Sequence, residues 1–425
     1  FKVNSSRENF YCKCFILNLA MQRRNFIKGG LLASSLSLKS SSSALAPIEF
    51  TPISPEERKM RVAKAQKLLA EKQMQAIILD AGINMNYFTG ISWHPSERSM
   101  LAVIPVKGEV FFICPAFEED RFLEMTPAGT RVHTWEEDEN PFALTTASLR
   151  KMGIQKGQIG IDEFCRFFIF DGLRKSEANF QFVSADPITI PCRIIKSAVE
   201  IALMQKANDA TVKAIQAGIA ALSIGCTPRQ ISQKIAQAHA EQGAMHGFAS
   251  VTFGVATSFP HGSSRKQILK SGDVVMLDCG CSVGGYESDI TRTIVFGEPS
   301  AKQKQIWELE KKAQQAGFEA AKLGAPAENV DFAARKVLID AGFGPDYKLP
   351  GLPHRTGHGI GMSGHEWGNM VRGNKAPLEI GMCFSIEPTI AIPGEFGVRL
   401  EDCAYMTADG PKWFSNPSPS ISEPF

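Results

Sequence analysis

Two carboxylates eleven residues apart, Asp278 and Asp289, stand in the apolar, β-branched segment VVMLDCGCSVGGYESDITRT. An ionised acid placed there without a partner costs several kcal/mol or must take up a proton, so buried acids are usually paired or metal-bound. VVMLD and DITRTIVF read as two strands joined through CSVGGY, where Gly284 and Gly285 supply turn geometry. Pairing about the centre of that loop sets Asp278 opposite Asp289, with Cβ atoms roughly 4.5 to 5.5 Å apart. Two like charges at that separation call for a cation between them.

A second apolar hairpin is expected from about Met382 to Met406, turning at Pro393-Gly394-Glu395 in FSIEPTIAIPGEFGVRLED. Pairing around Gly394 sets Glu387 opposite Glu401. Each hairpin follows two helical stretches: KSAVEIALMQKANDATVKAIQAGIAAL and TPRQISQKIAQAHAEQG before the first, AKQKQIWELEKKAQQAGFEAAKLG and ENVDFAARKVLIDAGF before the second. The halves repeat one another. Four acids on one curved sheet make a two-metal site a natural expectation.

From about Ile53 to Asp186 a helical segment, EERKMRVAKAQKLLAEKQ, precedes short apolar runs suited to strands: AIILD, MLAVIPV, EVFFIC, IGID and FVSA. These predict a small α/β domain. The expected organisation is a leader at 1–46, an α/β domain at 47–190 and an α+β domain with a curved antiparallel sheet of pseudo-twofold symmetry at 191–425.

At 425 residues, 44% hydrophobic and 21% charged, the chain has the composition of a globular protein of two domains. The net charge of +2 conceals seven Lys or Arg and one acid within residues 1–46. The remainder is mildly acidic. It offers no basic patch for nucleic acid and no apolar run of the roughly 20 residues needed to span a membrane. The segment MQRRNFIKGGLLASSLSLKSSSSALA, with Arg23 and Arg24 paired and Ala44-Leu45-Ala46 at its end, resembles a twin-arginine export signal and predicts a periplasmic protein. The first residue is Phe1, and residues 1–20 read as lying upstream of that signal. Eight cysteines beyond the leader show no CxxC spacing and read as small buried hydrophobes, with Cys279 facing away from Asp278 by strand alternation. His94, His133, His239, His246 and His354 read as structural.

Between the hairpins lies HRTGHGIGMSGHE, and before the first lies FPHG. With two Asp eleven apart, SIEP and GVRLED, this order resembles the pita-bread metallopeptidases, in particular Xaa-Pro aminopeptidases and prolidases. The likeness covers roughly 230 residues. The preceding domain, with MNYFTG, resembles the creatinase/prolidase N-terminal domain.

The resemblance implies that Asp278, Asp289, His358, Glu387 and Glu401 ligate two divalent ions, with Asp289 bridging or bidentate. It implies that a water shared by the ions attacks the scissile carbonyl and that Glu387 passes its proton to the leaving nitrogen. His261 and His365 would bind substrate and stabilise the oxyanion, and Arg399 would orient Glu401 or the substrate. An oxygen-rich ligand set suits Mn²⁺, with Co²⁺, Fe²⁺ or Zn²⁺ as alternatives. The implied substrate is a proline-containing peptide and the implied assembly a homodimer. Dipeptidase and aminopeptidase activity both fit.

One departure concerns the pocket. Family members often read EPGIYIPGEFGVRIED, whereas this chain has Thr389 for Gly and Ala391 for Tyr, a change expected to free volume near the site. The fold also hosts hydrolases and lyases acting on small non-peptide substrates, and non-catalytic peptide-binding modules, so those readings stand beside the peptidase.

Overall fold

The computed structural model describes residues 48–425. The twin-arginine-like segment therefore lies outside the described residues. Among these, no helix is long and apolar enough to cross a membrane.

The first domain opens with α1 (Pro55–Glu71), whose start is set by Ser54: its Oγ accepts the Glu57 N–H at 3.1 Å. Then follow β1 (Met74–Asp80), α2 (Ile83–Thr89), β2 (Leu101–Pro105), β3 (Phe111–Pro115), α3 (Glu119–Leu123) and β4 (Arg131–Trp135). The domain closes with α4 (Pro141–Lys151), β5 (Gly157–Ile161), α5 (Phe167–Ser176), β6 (Phe180–Ser184) and α6 (Asp186–Arg193). Its sheet runs in the order β4-β3-β2-β1-β5-β6. β1, β2 and β3 are buried on both faces, which is why they read as continuous apolar runs rather than alternating ones. One face packs Leu69, Met85, Phe122 and Ile188, and the other packs Leu149, Ile169 and Leu173. β4, RVHTW, escaped the sequence reading because a half-exposed strand with two apolar residues carries little signal.

The second domain begins at α7 (Ala198–Ala220), where Ser197 and Glu200 cap each other's backbone N–H groups. It continues with α8 (Pro228–Glu241), β7 (Met245–Phe253), β8 (Val274–Val283), β9 (Tyr286–Glu287) and β10 (Ile290–Val295). Next come α9 (Ala301–Ala320), α10 (Glu328–Asp340), β11 (Gly357–Gly359), β12 (Glu366–Met370) and β13 (Cys383–Ile386). The last strands are β14 (Thr389–Ile392), β15 (Phe396–Arg399), β16 (Asp402–Thr407) and β17 (Gly410–Trp413).

The first hairpin forms, but in a register two residues from the expected one. Its turn is the pair Gly284-Gly285, with φ of 59° and 83°, a two-residue loop that only residues tolerant of the left-handed region accept. The ladder therefore pairs Asp278 with Thr291 and Cys279 with Ile290, so Asp289 is the diagonal neighbour of Asp278. A shift of two preserves the face. Cys279 is fully buried in the helix-side core with Ala214, Ile231 and Leu277, on the face away from the acids.

The second hairpin keeps the expected register: Thr389 pairs with Arg399 and Ile386 with Asp402, which brackets Glu387 and Glu401 as an opposed pair. Its ladder breaks at that pair. Glu401 instead exchanges backbone hydrogen bonds with Thr291, at 3.2 and 3.3 Å, and so joins the second hairpin to the first. This crossing brings the four acids together.

Beneath it, the fully buried Arg292 donates to Asp402 at 2.7 Å, to the Glu401 carbonyl at 3.0 Å and to the Asn416 carbonyl at 2.9 Å. Arg292→Met is expected to destabilise the protein by about 3 kcal/mol or more, because Asp402 keeps its charge in the interior without its counter-ion. Denaturant unfolding measures this loss.

Candidate metal centre

The four acids and His358 converge where the hairpins cross. Ligand atoms of Asp278, Asp289 and Glu401 lie within 4.8 Å of one another, as do those of His358, Glu387 and Glu401, and those of Asp289, His358 and His365. His358 Nε2 stands 3.3 Å from Glu387 Oε1 and 3.8 Å from both Asp289 Oδ2 and Glu401 Oε1. Its Nδ1–H donates to the Gly359 carbonyl at 3.1 Å, which leaves the Nε2 lone pair aimed at carboxylate oxygens. Burial first, then the neighbouring His365, lowers its pKa to about 3, so the ring is neutral.

Electron pairs thus face electron pairs. Burial, then the charges of Glu401, Asp278 and Glu387, lifts the Asp289 pKa well above the carboxylate range, and burial with Glu387 and Asp278 does the same for Glu401. Burial raises Glu387 to about 7 against the opposing pull of Arg399. Asp289 Oδ1 and Glu401 Oε1 are buried and have no hydrogen-bond partner. Such oxygens are costly unless a cation meets them. Hard and borderline divalent ions fit this donor set of carboxylate oxygens and one imidazole nitrogen.

Arg399 is the guanidinium in direct contact with the cage, and its partner is Asp278 rather than Glu401. It reaches Glu401 through a relay: Arg399 Nε donates to Thr291 Oγ1 at 3.1 Å, and Thr291 Oγ1 donates to Glu401 Oε2 at 2.7 Å. Its Nη1 donates to the Pro260 carbonyl at 3.0 Å and so fixes the loop that carries His261. Although burial disfavours its charge, Asp278, Glu401, Glu387 and Asp289 outweigh that cost and raise its pKa.

His261 is exposed at one rim. His365 stands at the other, its ring centroid 4.0 Å from that of His358. His365 is set by its neighbour Glu366, which pairs with Arg193, accepts from Lys196 Nζ at 3.0 Å and caps the Met362 N–H at 2.9 Å. Burial opposes the Glu366 charge, but Lys196 and Arg193 hold its pKa down at about 2. Glu366→Gln is expected to lower kcat about ten-fold with a smaller change in KM, by loosening His365; steady-state kinetics separates the two.

Thr291, Glu366, Arg193 and Lys196 were missed in the sequence. Thr291 had one legible signal, its position two residues past Asp289 on the same strand face. His354, read as structural, is hydrogen-bonded at both ring nitrogens, to the Arg355 carbonyl at 2.7 Å and to Thr389 Oγ1 at 3.0 Å. Ala391 is fully buried between Gly397 and an isolated bridge to Gly351.

Residues 202–408 match metallopeptidase family M24, and residues 61–195 match the creatinase/prolidase N-terminal domain. The chain is 34% identical over 368 residues to the Xaa-Pro dipeptidase of Lactobacillus helveticus, covering 84% of this chain and 97% of that protein. Dipeptidase PepE from Mycobacterium ulcerans superposes with a TM-score of 0.81 at 30% identity, covering 88% of this chain and 99% of that one. The prolidase from Thermococcus sibiricus gives 0.78, also at 30% identity, over 84% and 97%. With the crossed hairpins and their acids in place, these likenesses identify the chain as a metallopeptidase of family M24, its pita-bread domain preceded by a creatinase/prolidase N-terminal domain.

Proposed function

We propose that this metallopeptidase hydrolyses Xaa-Pro peptide bonds and that Asp278, Asp289, His358, Glu387 and Glu401 hold two divalent ions, Mn²⁺ first among the candidates. The observation that carries the reading is the cage itself: three overlapping groups of ligand atoms, with two of its oxygens left without a partner. Asp289, His358 and Glu401 each belong to two of those groups, so the donor atoms form one continuous cluster, large enough for more than one ion. The relatives named as Xaa-Pro dipeptidases support proline as the residue after the scissile bond.

Bound there, a pair of divalent ions would polarise the substrate carbonyl and make a water molecule nucleophilic near neutral pH. The protein supplies the rest. Glu387, in reach of His358 and of Ser385 Oγ at 3.5 Å, is the acid placed to take a proton from the attacking water and deliver it to the leaving nitrogen. His365 and His261 flank the cage and can donate to an oxygen that gains charge during attack. Arg399 holds Asp278 in position and, through Thr291, holds Glu401. Export in the folded state, argued from Arg23 and Arg24, completes the reading.

Turnover of Xaa-Pro dipeptides, Xaa-Pro-containing longer peptides and Xaa-Ala controls by Mn²⁺-loaded protein tests it. Prolyl peptides should be cleaved in preference to the controls by roughly ten-fold or more. Inertness toward every prolyl member would overturn the proposal.

A further inference from the structure

Two hollows each include one of the histidines that flank the cage. The hollow on the His365 side, of about 240 Å³, mixes charges: Arg193 and Arg355 are offset by Glu163 and Glu366. The one on the His261 side is larger, about 640 Å³, and its charges have one sign. Arg229, Arg265 and Lys266 line it, and no Asp or Glu does. Among the described residues none of the three forms an ion pair. Asp273 shares a neighbouring hollow with Arg265 and Lys266, but its Oδ2 is committed to the Lys270 N–H at 2.8 Å.

The cleft's floor strand, β7, is the ladder neighbour of β8, the strand that carries Asp278. Ser250 on β7 pairs directly with Asp278 on β8, so the two side chains lie on one face of the sheet. The loop after His261 is laid onto that floor: a Cβ at Gly262 would stand 3.7 Å from Thr252 Cγ2 and 3.8 Å from Ser250 Oγ. A peptide bond poised at the cage can therefore extend one end past His261 into the cleft. Which end follows from charge. The substrate of an exopeptidase carries an ammonium on the residue before the scissile bond, and three cations with no acid repel it. The segment beyond the proline, which ends in a carboxylate or carries acidic side chains, is attracted.

Resting on the Xaa-Pro reading, we infer that the His261-side cleft is a subsite for an anionic group on the carboxyl side of the scissile bond, favouring peptides with an acidic residue directly after the proline. A free carboxyl terminus offers the same chemistry. Because the cations are exposed, the preference should be moderate and salt-sensitive.

The test is binding of product-like dipeptides to the metal-loaded protein by calorimetry. Pro-Glu amide should bind about ten-fold more tightly than Pro-Gln amide at low salt, with the ratio falling toward about two near 0.5 M salt. In an R229Q/R265Q/K266Q triple variant the ratio should fall to about one. Pro-Gln with a free carboxylate matching Pro-Glu amide would support the subsite and identify the chain terminus as its ligand. Equal affinity for all three dipeptides, or a preference that survives in the triple variant, would overturn it. Turnover of an Xaa-Pro amide, which carries no carboxylate, measured alongside, reports on the peptidase reading separately. If turnover fails while the anion preference persists, the peptidase reading falls and the basic cleft stands.

Discussion

Asp289→Asn is expected to abolish turnover, lowering kcat/KM by roughly 10³-fold or more, while leaving the metal-free protein as stable as before or more so. The two effects share one cause. Asp289 belongs to both the Asp278–Glu401 group and the His358–His365 group, so an amide in its place removes a negative charge from both groups of candidate ligands. A bound ion contributes several kcal/mol of transition-state stabilisation, and each 1.36 kcal/mol is a factor of ten in rate. Without metal, the same carboxyl is buried, lacks a partner at Oδ1 and faces three other acids, so neutralising it relieves repulsion. Steady-state kinetics and thermal unfolding of the chelated variant measure the two quantities. A variant that loses activity and also unfolds several kcal/mol more easily without metal would mark Asp289 as a structural residue instead.

Chelation should make the protein's stability depend on pH in a sense that divalent ions reverse. Burial and mutual repulsion raise the folded-state pKa values of Asp289, Glu401 and Glu387, the last to about 7, above the roughly 4 of an unfolded chain. The folded state therefore binds more protons than the unfolded one across that window. Stability is fully present below about pH 4 and is lost as pH rises through the folded values, by a few kcal/mol in total.

Buried histidines act on the opposite limb. His358 at about 3 and His354 and His239 at about 4 lie below the free imidazole value, so their contribution is present above about pH 6.5 and is lost as pH falls toward those values. The two limbs oppose each other between about pH 4 and 6.5, so metal-free protein should show a broad Tm maximum there and a falling Tm above about pH 6.5, where the carboxyl limb acts alone. With divalent ions the alkaline decline should disappear, because ionised carboxylates are what the ions bind, and each site held at 1,000 times its Kd adds about 4 kcal/mol. Scanning calorimetry with and without chelator follows both limbs. Coincident profiles would show that the acids do not meet a cation.

The site was legible in the sequence to the extent that local patterning encodes it. Glu387 and Glu401 could be paired correctly because Pro393-Gly394-Glu395 marks the turn and the register follows from its centre. Asp278 and Asp289 were assigned to the right face but not to the right pairing, since CSVGGY leaves the turn centre open until the φ angles of Gly284 and Gly285 are known. The error was even, and side chains on a strand repeat every second residue, so the acids still converged. Long-range partners left no such trace. Arg193 and Lys196 meet Glu366 some 170 residues later in the chain, and Thr291 meets Glu401 110 residues away. No periodicity connects positions so far apart.

Titration of the chelated protein with Mn²⁺, reading cleavage of an Xaa-Pro peptide and bound ion per chain in the same samples, tests the central claim most directly. Activity should be absent at the start, rise with added ion and saturate near two ions per chain in the wild type, and His358→Ala should neither reach that occupancy nor cleave the peptide. Full activity in excess chelator, or saturation below one ion per chain, would contradict the account.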